Sequence, residues 1–501
     1  NCLFFENTAN LGGAVYNYFH SAPVYTNCTF ANNTGLINGA GLYNNFYANT
    51  VVNNSIFWGN TGIQVFNNAS TLSINNAIIE GGCPAGYDCT NVSDQDPQFL
   101  DAAADNFQLS LTSPASGVGN GTVNNAAIDL AGNPRTSGGV IDLGALQNQR
   151  AAYVNDDATG SNDGSSWVNA FNHLQDALAY AASEPLITQI WIAEGTYTPD
   201  QGVGFTAGDR NASFSMQNDL VIYGGFPNTG NPNLTDRDWT ANETILSGDI
   251  GTLGVNTDNS RRIVFNSGLN NTAVLDGLTV SDAYNEISVN GQDGAGMFNT
   301  AASPIIQNCI FRNNDMVEFS GAAVYNQNAS PEFINCLFLE NSSGDFGGAL
   351  FTLGGAVRLS NCTFVANSSF SGSAIGGFFS NTNHTLNNCI FWGNLNSSPI
   401  FNGQGASTTI TYSVVEGGYP GTGNLSSDPL FADATNGDFR LQACSPAIDA
   451  GTGTNAPSVD LGGTTRIVNN GIDMGAYEFQ STPTPVIAQC QPRTVELDAD
   501  G

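Results

Sequence analysis

The chain has 501 residues, 41% of them apolar, 11% charged and 58 of them glycine. That is too long for one ordinary core, and it predicts at least two domains rich in turns and strands. Its 43 acidic residues face eleven basic ones, all Arg, for a formal charge of −32. This balance excludes nucleic acid and anionic membranes as partners, because phosphate contacts require clusters of Lys and Arg, and it suits a solvated protein in salty or calcium-containing surroundings. The sequence holds no apolar run of about 18 residues, so this segment is not expected to insert into a membrane.

The first seven residues, NCLFFEN, open a motif that returns along the chain. It reads NCTFANN from Asn27, NSIFWGN from Asn54, NCIFRNN from Asn308, NCLFLEN from Asn335, NCTFVAN from Asn361 and NCIFWGN from Asn388. Within each group the step is 26 or 27 residues, a period that marks stacked structural repeats. Because the chain opens inside a repeat, with no signal peptide, we expect a piece of a longer protein.

Each repeat supplies a short β segment (Cys28, Thr29, Phe30), an Asn-rich turn, a small-residue corner leading to a second segment (Gly39 to Asn44), and a third (Thr50 to Val52). Three strands and three turns make one coil of a parallel β-helix, with coils about 4.8 Å apart. Glycine lets the backbone bend at the corner. Cys2, Cys28, Cys309, Cys336, Cys362 and Cys389 share one repeat position and read as a ladder of buried thiols; no CxxC pair or His cluster points to a metal. Asn7, Asn33, Asn60, Asn314, Asn341, Asn367 and Asn394 close the motif. They are expected to accept left-handed geometry and to hydrogen-bond their equivalents above and below.

After Asn60 the pattern loosens into the loop Cys83 to Cys89 (CPAGYDC), a candidate local disulfide that fits an extracellular compartment. Cys444 and Cys490 stay unassigned. The segments DPQF, NFQL, SPA and IDLGA that follow return near the C-terminus as DPLF, DFRL, SPA and IDMGA, some 331 or 332 residues later. Residues 1–149 are therefore read as the C-terminal part of a first β-helix domain, and 150–480 as a complete second copy. That copy opens with Trp167, Phe171, Leu174, Leu178 and Ala181 at helical spacing, predicting an amphipathic helix over 166–182, capped by Ser165 or Ser166. We assign it as a lid on the first coil, since an open strand edge invites aggregation. Strands are predicted near 189–192, 220–225, 244–246, 262–265 and 273–278, with long loops at 198–213 and 226–242 and regular coils over 295–415. Residues 481–489 (STPTP onward) form a stiff linker, and 490–501 start a truncated immunoglobulin-like β domain.

Candidate chemistry is sparse. His20, His173 and His384 are far apart in sequence. Arg312 and Arg358 lie in the regular coils, with Asp315 and Asp345 as candidate neighbours, and are read as solvated pairs. The aspartates of DPQF, DPLF and IDxG are read as turn acceptors. The tail Asp498 to Gly501 hints at a calcium loop but lacks the rest of the motif. We expect no catalytic residues, no cofactor and no enzymatic activity.

The FxxN pairs (Phe30 to Asn33, Phe338 to Asn341) and the GGA corners (Gly12 to Ala14, Gly347 to Ala349) resemble the repeats of chlamydial polymorphic outer-membrane proteins. The whole second copy, from YVN through SPAIDAG to IDMGAYE, resembles right-handed β-helix proteins with choice-of-anchor modules in secreted proteins of Bacteroidota. The tail CQPRTVELDADG is similar to the immunoglobulin-like repeats of giant adhesins. These resemblances imply an all-β fold of tandem right-handed parallel β-helices, placed extracellularly or at a cell surface. They also imply a stiff, adhesive module of a very large secreted bacterial protein, with surface glycans or proteins of other cells as partners. Two alternatives stand beside that reading: a polysaccharide-binding or -degrading β-helix with an acidic groove and an Arg beside it, and a subunit of a homo-oligomeric filament or hook. On a rigid scaffold the loops at 198–213 and 226–242 are the expected contact sites.

Overall fold

The computed structural model describes residues 1–110, 112–133, 135–136, 140–148, 150–184, 186–286, 294–453, 456–468 and 471–480. The linker, the immunoglobulin-like segment, the calcium-loop motif and Cys490 lie outside them. By compactness the chain forms two units. The first comprises Asn1–Ala151, Glu184–Gln189 and Asn231–Asp236, and the second the rest.

In the first unit, Cys2–Phe5, Cys28–Ala31, Asn49–Trp58, Thr71–Ile79 and Asp88–Ser93 pair in parallel, in that order. A second face is built from Val15–Tyr18, Leu42–Asn45 and Val65–Asn68. The register lays the motif on itself, with Cys2 opposite Cys28 and Phe4 opposite Phe30, then Phe30 opposite Phe57. The second unit repeats this over more coils. One face runs from Gly195–Tyr197 through Thr244–Ser247, Thr279–Ser281, Ile310–Arg312, Leu337–Leu339, Thr363–Val365 and Ile390–Trp392 to Val414–Val415. Two further faces converge on Ile375–Asn387, a 13-residue strand that belongs to both. Parallel strands wound this way are a β-helix, and the chain is all-β apart from one α-helix and short 3-10 turns among the described residues.

The aligned phenylalanines make the core. Their rings stack at 4.7 Å (Phe4 and Phe30) and 4.3 Å (Phe30 and Phe57). In the second unit Phe311, Phe338, Phe364 and Phe391 follow at 5.2, 4.4 and 4.8 Å. Burying each ring is worth roughly 1.5–3 kcal/mol, and each stacked pair adds about 0.5–1.5 kcal/mol. The GGA corner needs its first glycine. Gly347 has φ 64°, and a Cβ there would collide with the Leu350 carbonyl.

Two expectations are corrected. The helix spans Leu174–Ser183, not 166–182. Upstream, Asp163 and Gly164 donate their backbone N–H to the Asn169 carbonyl, and the Asn162 side chain accepts from Asn172 N. These turns use up the backbone groups a longer helix would need. Trp167 and Phe171 are buried from those turns instead, and Trp167 packs on Tyr153, Trp191 and Phe226. Secondly, left-handed backbone falls not on the closing Asn but one residue before it, at Asn32 (φ 54°), Asn313 (φ 53°) and Glu340 (φ 55°), and on the opening Asn at Asn27, Asn308, Asn335, Asn361 and Asn388.

Candidate functional site

The residues singled out by the motif are scaffold. The closing Asn side chains form a ladder: Asn314 Nδ2 donates to Asn341 Oδ1 at 2.9 Å, Asn341 to Asn367 at 2.9 Å and Asn367 to Asn394 at 3.0 Å. In the first unit Asn7 donates to Asn33 at 3.0 Å and Asn33 to Asn60 at 2.9 Å. Each Asn in the middle of a run also bonds main chain above or below it, so these buried amides are satisfied. Cys28, Cys309, Cys336, Cys362 and Cys389 are buried free thiols. Burial pushes Cys309 up to about 12 and Cys362 and Cys389 well above their ordinary value, so these three are not ready nucleophiles. Cys2 departs from the expected buried ladder. It is exposed, because in this chain its strand carries a partner on one edge only, Cys28–Ala31. Cys83 and Cys89 form a disulfide, Cα to Cα 6.2 Å, and Cys444 is disulfide-bonded.

A second ladder escaped the motif reading. The opening asparagines pair as well, Asn54 to Asn27 at 3.1 Å, Asn335 to Asn308 at 3.1 Å and Asn388 to Asn361 at 3.3 Å. A segment from the end of each unit folds back over them. Asn54 Nδ2 donates to Asn120 O, and Asn388 Nδ2 to Thr452 O. Beneath these segments lie two arginines with no exposure, Arg135 and Arg466. Arg135 donates to the Asp142 and Gly144 carbonyls, Arg466 to those of Gly475 and Ala476 and to Asn335 Oδ1. The IDxG aspartates accept from main-chain N–H as expected, Asp142 from Gly117 and Asn148, Asp473 from Asp449 and Phe479.

The charged candidates part company. Arg312 pairs with Glu243 at 3.0 Å rather than with Asp315, and Arg358 is exposed, in register with Glu332. Asp345 is exposed too. Of the histidines, His20 is exposed and His384 is 1% exposed; burial pushes His384 down to about 4.

Two features remain. On the first unit, Tyr18, Phe19, His20, Phe46 and Tyr47 stand outside one corner of two successive coils, with Phe19 62% and Tyr47 65% exposed. Their rings touch: Tyr18 to Phe46 at 5.3 Å, Phe19 to His20 at 4.7 Å and His20 stacked on Tyr47 at 5.4 Å. The equivalent corner in the second unit carries Ala301 and Asn328, which take the left-handed backbone of Phe19 and Phe46.

On the second unit an open cleft of about 330 Å³ is lined by Asn256, Asn259, Asp282, Ala283, Tyr284, Asn313, Asn314, Asp315, Glu340 and Ser342. Tyr284, Asp315 and Ser342 stand in register on three successive coils, so Asp282, Asp315 and Glu340 place one carboxylate on each. Burial raises the Asp315 carboxyl above its ordinary value. Beside the cleft, Arg210 from the 198–213 loop forks onto Glu286 at 2.7 Å with both guanidinium arms and donates to Asn259 O and Tyr284 O. Arg210 holds Glu286 down to about 2. The cleft is acidic with an Arg beside it; of the charged candidates read from the sequence it holds Asp315, while Arg312, Arg358 and Asp345 do not line it. Tyr284, Asp315 and Ser342 open short strands, Asn313, Asn314 and Glu340 belong to the repeated motif, and Asn256, Asn259 and Asp282 lie outside the strands.

A family described as right-handed β-helix region matches residues 235–415. No curated protein matches the sequence. Among solved structures, a crystal structure of pectate lyase Pel9A matches with 16% identity and a TM-score of 0.34, over 67% of this chain and 98% of that one. The parallel strand stacks, with the family match over 235–415, make the chain a right-handed parallel β-helix protein in fold class. The expectation of a chain without enzymatic activity is corrected, since the matching structure is an enzyme; at that identity and TM-score the match assigns no reaction to this chain.

Proposed function

We propose that this chain is an attachment module of an extracellular protein, a stiff β-helix that presents recognition surfaces to glycans on another surface. The observation that carries the reading is the exposed aromatic corner of the first unit. Contiguous exposed apolar patches on soluble proteins mark interaction sites, and aromatic faces stack on the C–H faces of sugar rings. A glycan fits better than a polyanion, given the formal charge of −32. Repeated weak contacts add through effective concentration. The test is retention of the chain on beads bearing neutral glycans, comparing wild type with Phe19→Ser, Phe46→Ser and Tyr47→Ser combined. A loss of retention of about ten-fold or more, at unchanged melting temperature, supports the reading, and undiminished retention removes it.

A second reading, polysaccharide binding or cleavage, is favoured by the acidic cleft of the second unit with Arg210 at its edge. Turnover assays on a panel of neutral, acidic and amino-sugar polymers address it directly.

A further inference from the structure

Charge is unevenly placed along the chain. Residues 7–79 and 359–415 contain no Asp, Glu, Lys or Arg, in a sequence with 43 acidic and eleven basic residues. The first stretch holds the aromatic corner, where the strands Val15–Tyr18 and Leu42–Asn45 are each followed by a left-handed phenylalanine, Phe19 and Phe46. The second stretch holds a counterpart at the same corner of the second unit. There the corner passes through Ala301, Asn328 and Gly354, all left-handed, to Phe379 at φ 72°. A bulky side chain at positive φ is an outlier that persists where its surroundings over-determine it, as at ligand clamps.

A bulge fixes this one. Leu353 stands opposite Phe378 and Gly355 opposite Thr382, so Phe379, Ser380 and Asn381 together face the single Gly354. All three are exposed, Phe379 to 46%. The buried Thr382 hydroxyl pins the bulge, accepting from Gly354 N at 2.9 Å and donating to the Phe378 carbonyl. Bulges of this kind re-aim side chains. The Phe379 ring lies 6.4 Å from Phe378, which meets Phe401 at 5.4 Å. Gly403 makes room for both, since a Cβ there would lie 2.5 Å from the Phe378 ring and 3.0 Å from that of Phe401. Exposed amides flank the rings, Asn381 in the bulge and Gln404 on the next coil.

We infer that Phe379 heads a second recognition platform, for a neutral, hydroxyl-rich sugar chain, so that each unit carries one. Exposed contiguous rings mark an interaction site, and a stretch without ionic side chains offers no ion pair to an acidic or basic partner. Rings suit the C–H faces of sugars, and an amide gives both a donor and an acceptor to their hydroxyls. This inference rests on the attachment reading and adds a site in the second unit.

The experiment measures retention of the full chain on beads bearing cellohexaose, mannohexaose, xylohexaose or tetragalacturonate. Wild type is compared with Phe379→Gly, with the combined Phe19→Ser, Phe46→Ser and Tyr47→Ser variant, and with Phe370→Ser. Phe370 is 75% exposed at an earlier bend of the same coil and serves as a control for general stickiness. Glycine suits left-handed backbone, so Phe379→Gly is expected to keep or raise the melting temperature while lowering retention on a neutral bead about five-fold or more. Phe370→Ser should change retention by less than about two-fold, and the free hexasaccharide should elute the wild type. Equal losses in Phe370→Ser and Phe379→Gly, retention that free sugar does not reverse, or a Phe379 effect on galacturonate beads alone each overturn the inference. If Phe379→Gly is retained like wild type while the first-unit variant is not, the inference falls and the attachment reading stands. If only Phe379→Gly loses retention, this platform stands and the first-unit corner falls. If no neutral bead holds the wild type, both fall.

Discussion

The endings of the two units show one design with a single telling difference. In the first, Asp129 Oδ2 accepts from Gln147 N, Gln147 Oε1 accepts from Asp142 N, and Thr29 Oγ1 accepts from Ala145 N. In the second, Asp460, Glu478, Asp473, Thr363 and Ala476 make the same bonds. Even the serine turn is shared, with Ser113 and Ser445 each donating to a proline carbonyl at 2.5 Å. Where the first unit has a neutral amide, though, the second buries a carboxyl. Glu478 lies 3.6 Å from Arg466 with both side chains essentially unexposed, and its Oε1 and Arg466 Nε lack partners. Burial pushes the Glu478 carboxyl up to about 8. The scaffold is copied closely, and the copies diverge in charge, in corner aromatics and in loops.

That comparison can be broken first at the phenylalanine stack. Phe338→Ala and Phe30→Ala should each cost about 3–5 kcal/mol in chemical denaturation, equally in either unit if the cores are equivalent. A cost below about 1 kcal/mol in one unit alone would show that its stack is not structural. Next come the Asn ladders, where Asn341→Ala and Asn33→Ala strand neighbouring amides and should cost about 1–3 kcal/mol each.

Glu478 sharpens the comparison. Its folded value near 8 lies above the ordinary 4.5, so the folded state holds that proton more tightly than the unfolded chain. The contribution is present in full below about pH 4.5 and is lost as pH rises through 8. Glu478→Gln, which installs the first unit's residue type, should abolish that part of the decline, read as melting temperature at pH 5 and pH 9. Identical pH profiles for wild type and variant would contradict the assignment. His384 acts at the other end. Its value, lowered from 6.5 to about 4 by burial, contributes stability above 6.5 that is lost as pH falls through 4. A smaller effect is expected at the corner, where Phe19→Ser or Tyr47→Ser should change stability within about 0.5 kcal/mol.

Much of the scaffold was legible because a fixed period carries strand, turn and core position together. The Cys and Phe registers, the small-residue corner, the disulfide at Cys83 and Cys89 and the paired endings all follow from spacing. The opening-Asn ladder was equally visible in the repeated NC, but only one Asn per motif was read as structural. The helix start was missed because Trp167 and Phe171 satisfy helical spacing while sitting in turns. The cleft was legible only in part: Asn313, Asn314 and Glu340 lie in the repeated motif with Asp315 just after it, but no local pattern announces that Asn259 and Asp282 share a wall with them. Arg210 likewise reaches its partners across the fold, 76 residues from Glu286.

Attachment residing at the diverged corner, and not in the shared ladders, is tested most directly by one binding measurement. Retention on glycan-coated beads is compared for the wild type, for the Phe19→Ser, Phe46→Ser and Tyr47→Ser variant, and for a variant placing Phe at Ala301 and Asn328. The account predicts a loss of about ten-fold in the first variant without a change in melting temperature, and a gain in the second. Retention that is unchanged in both, or that falls only when the protein unfolds, would contradict it.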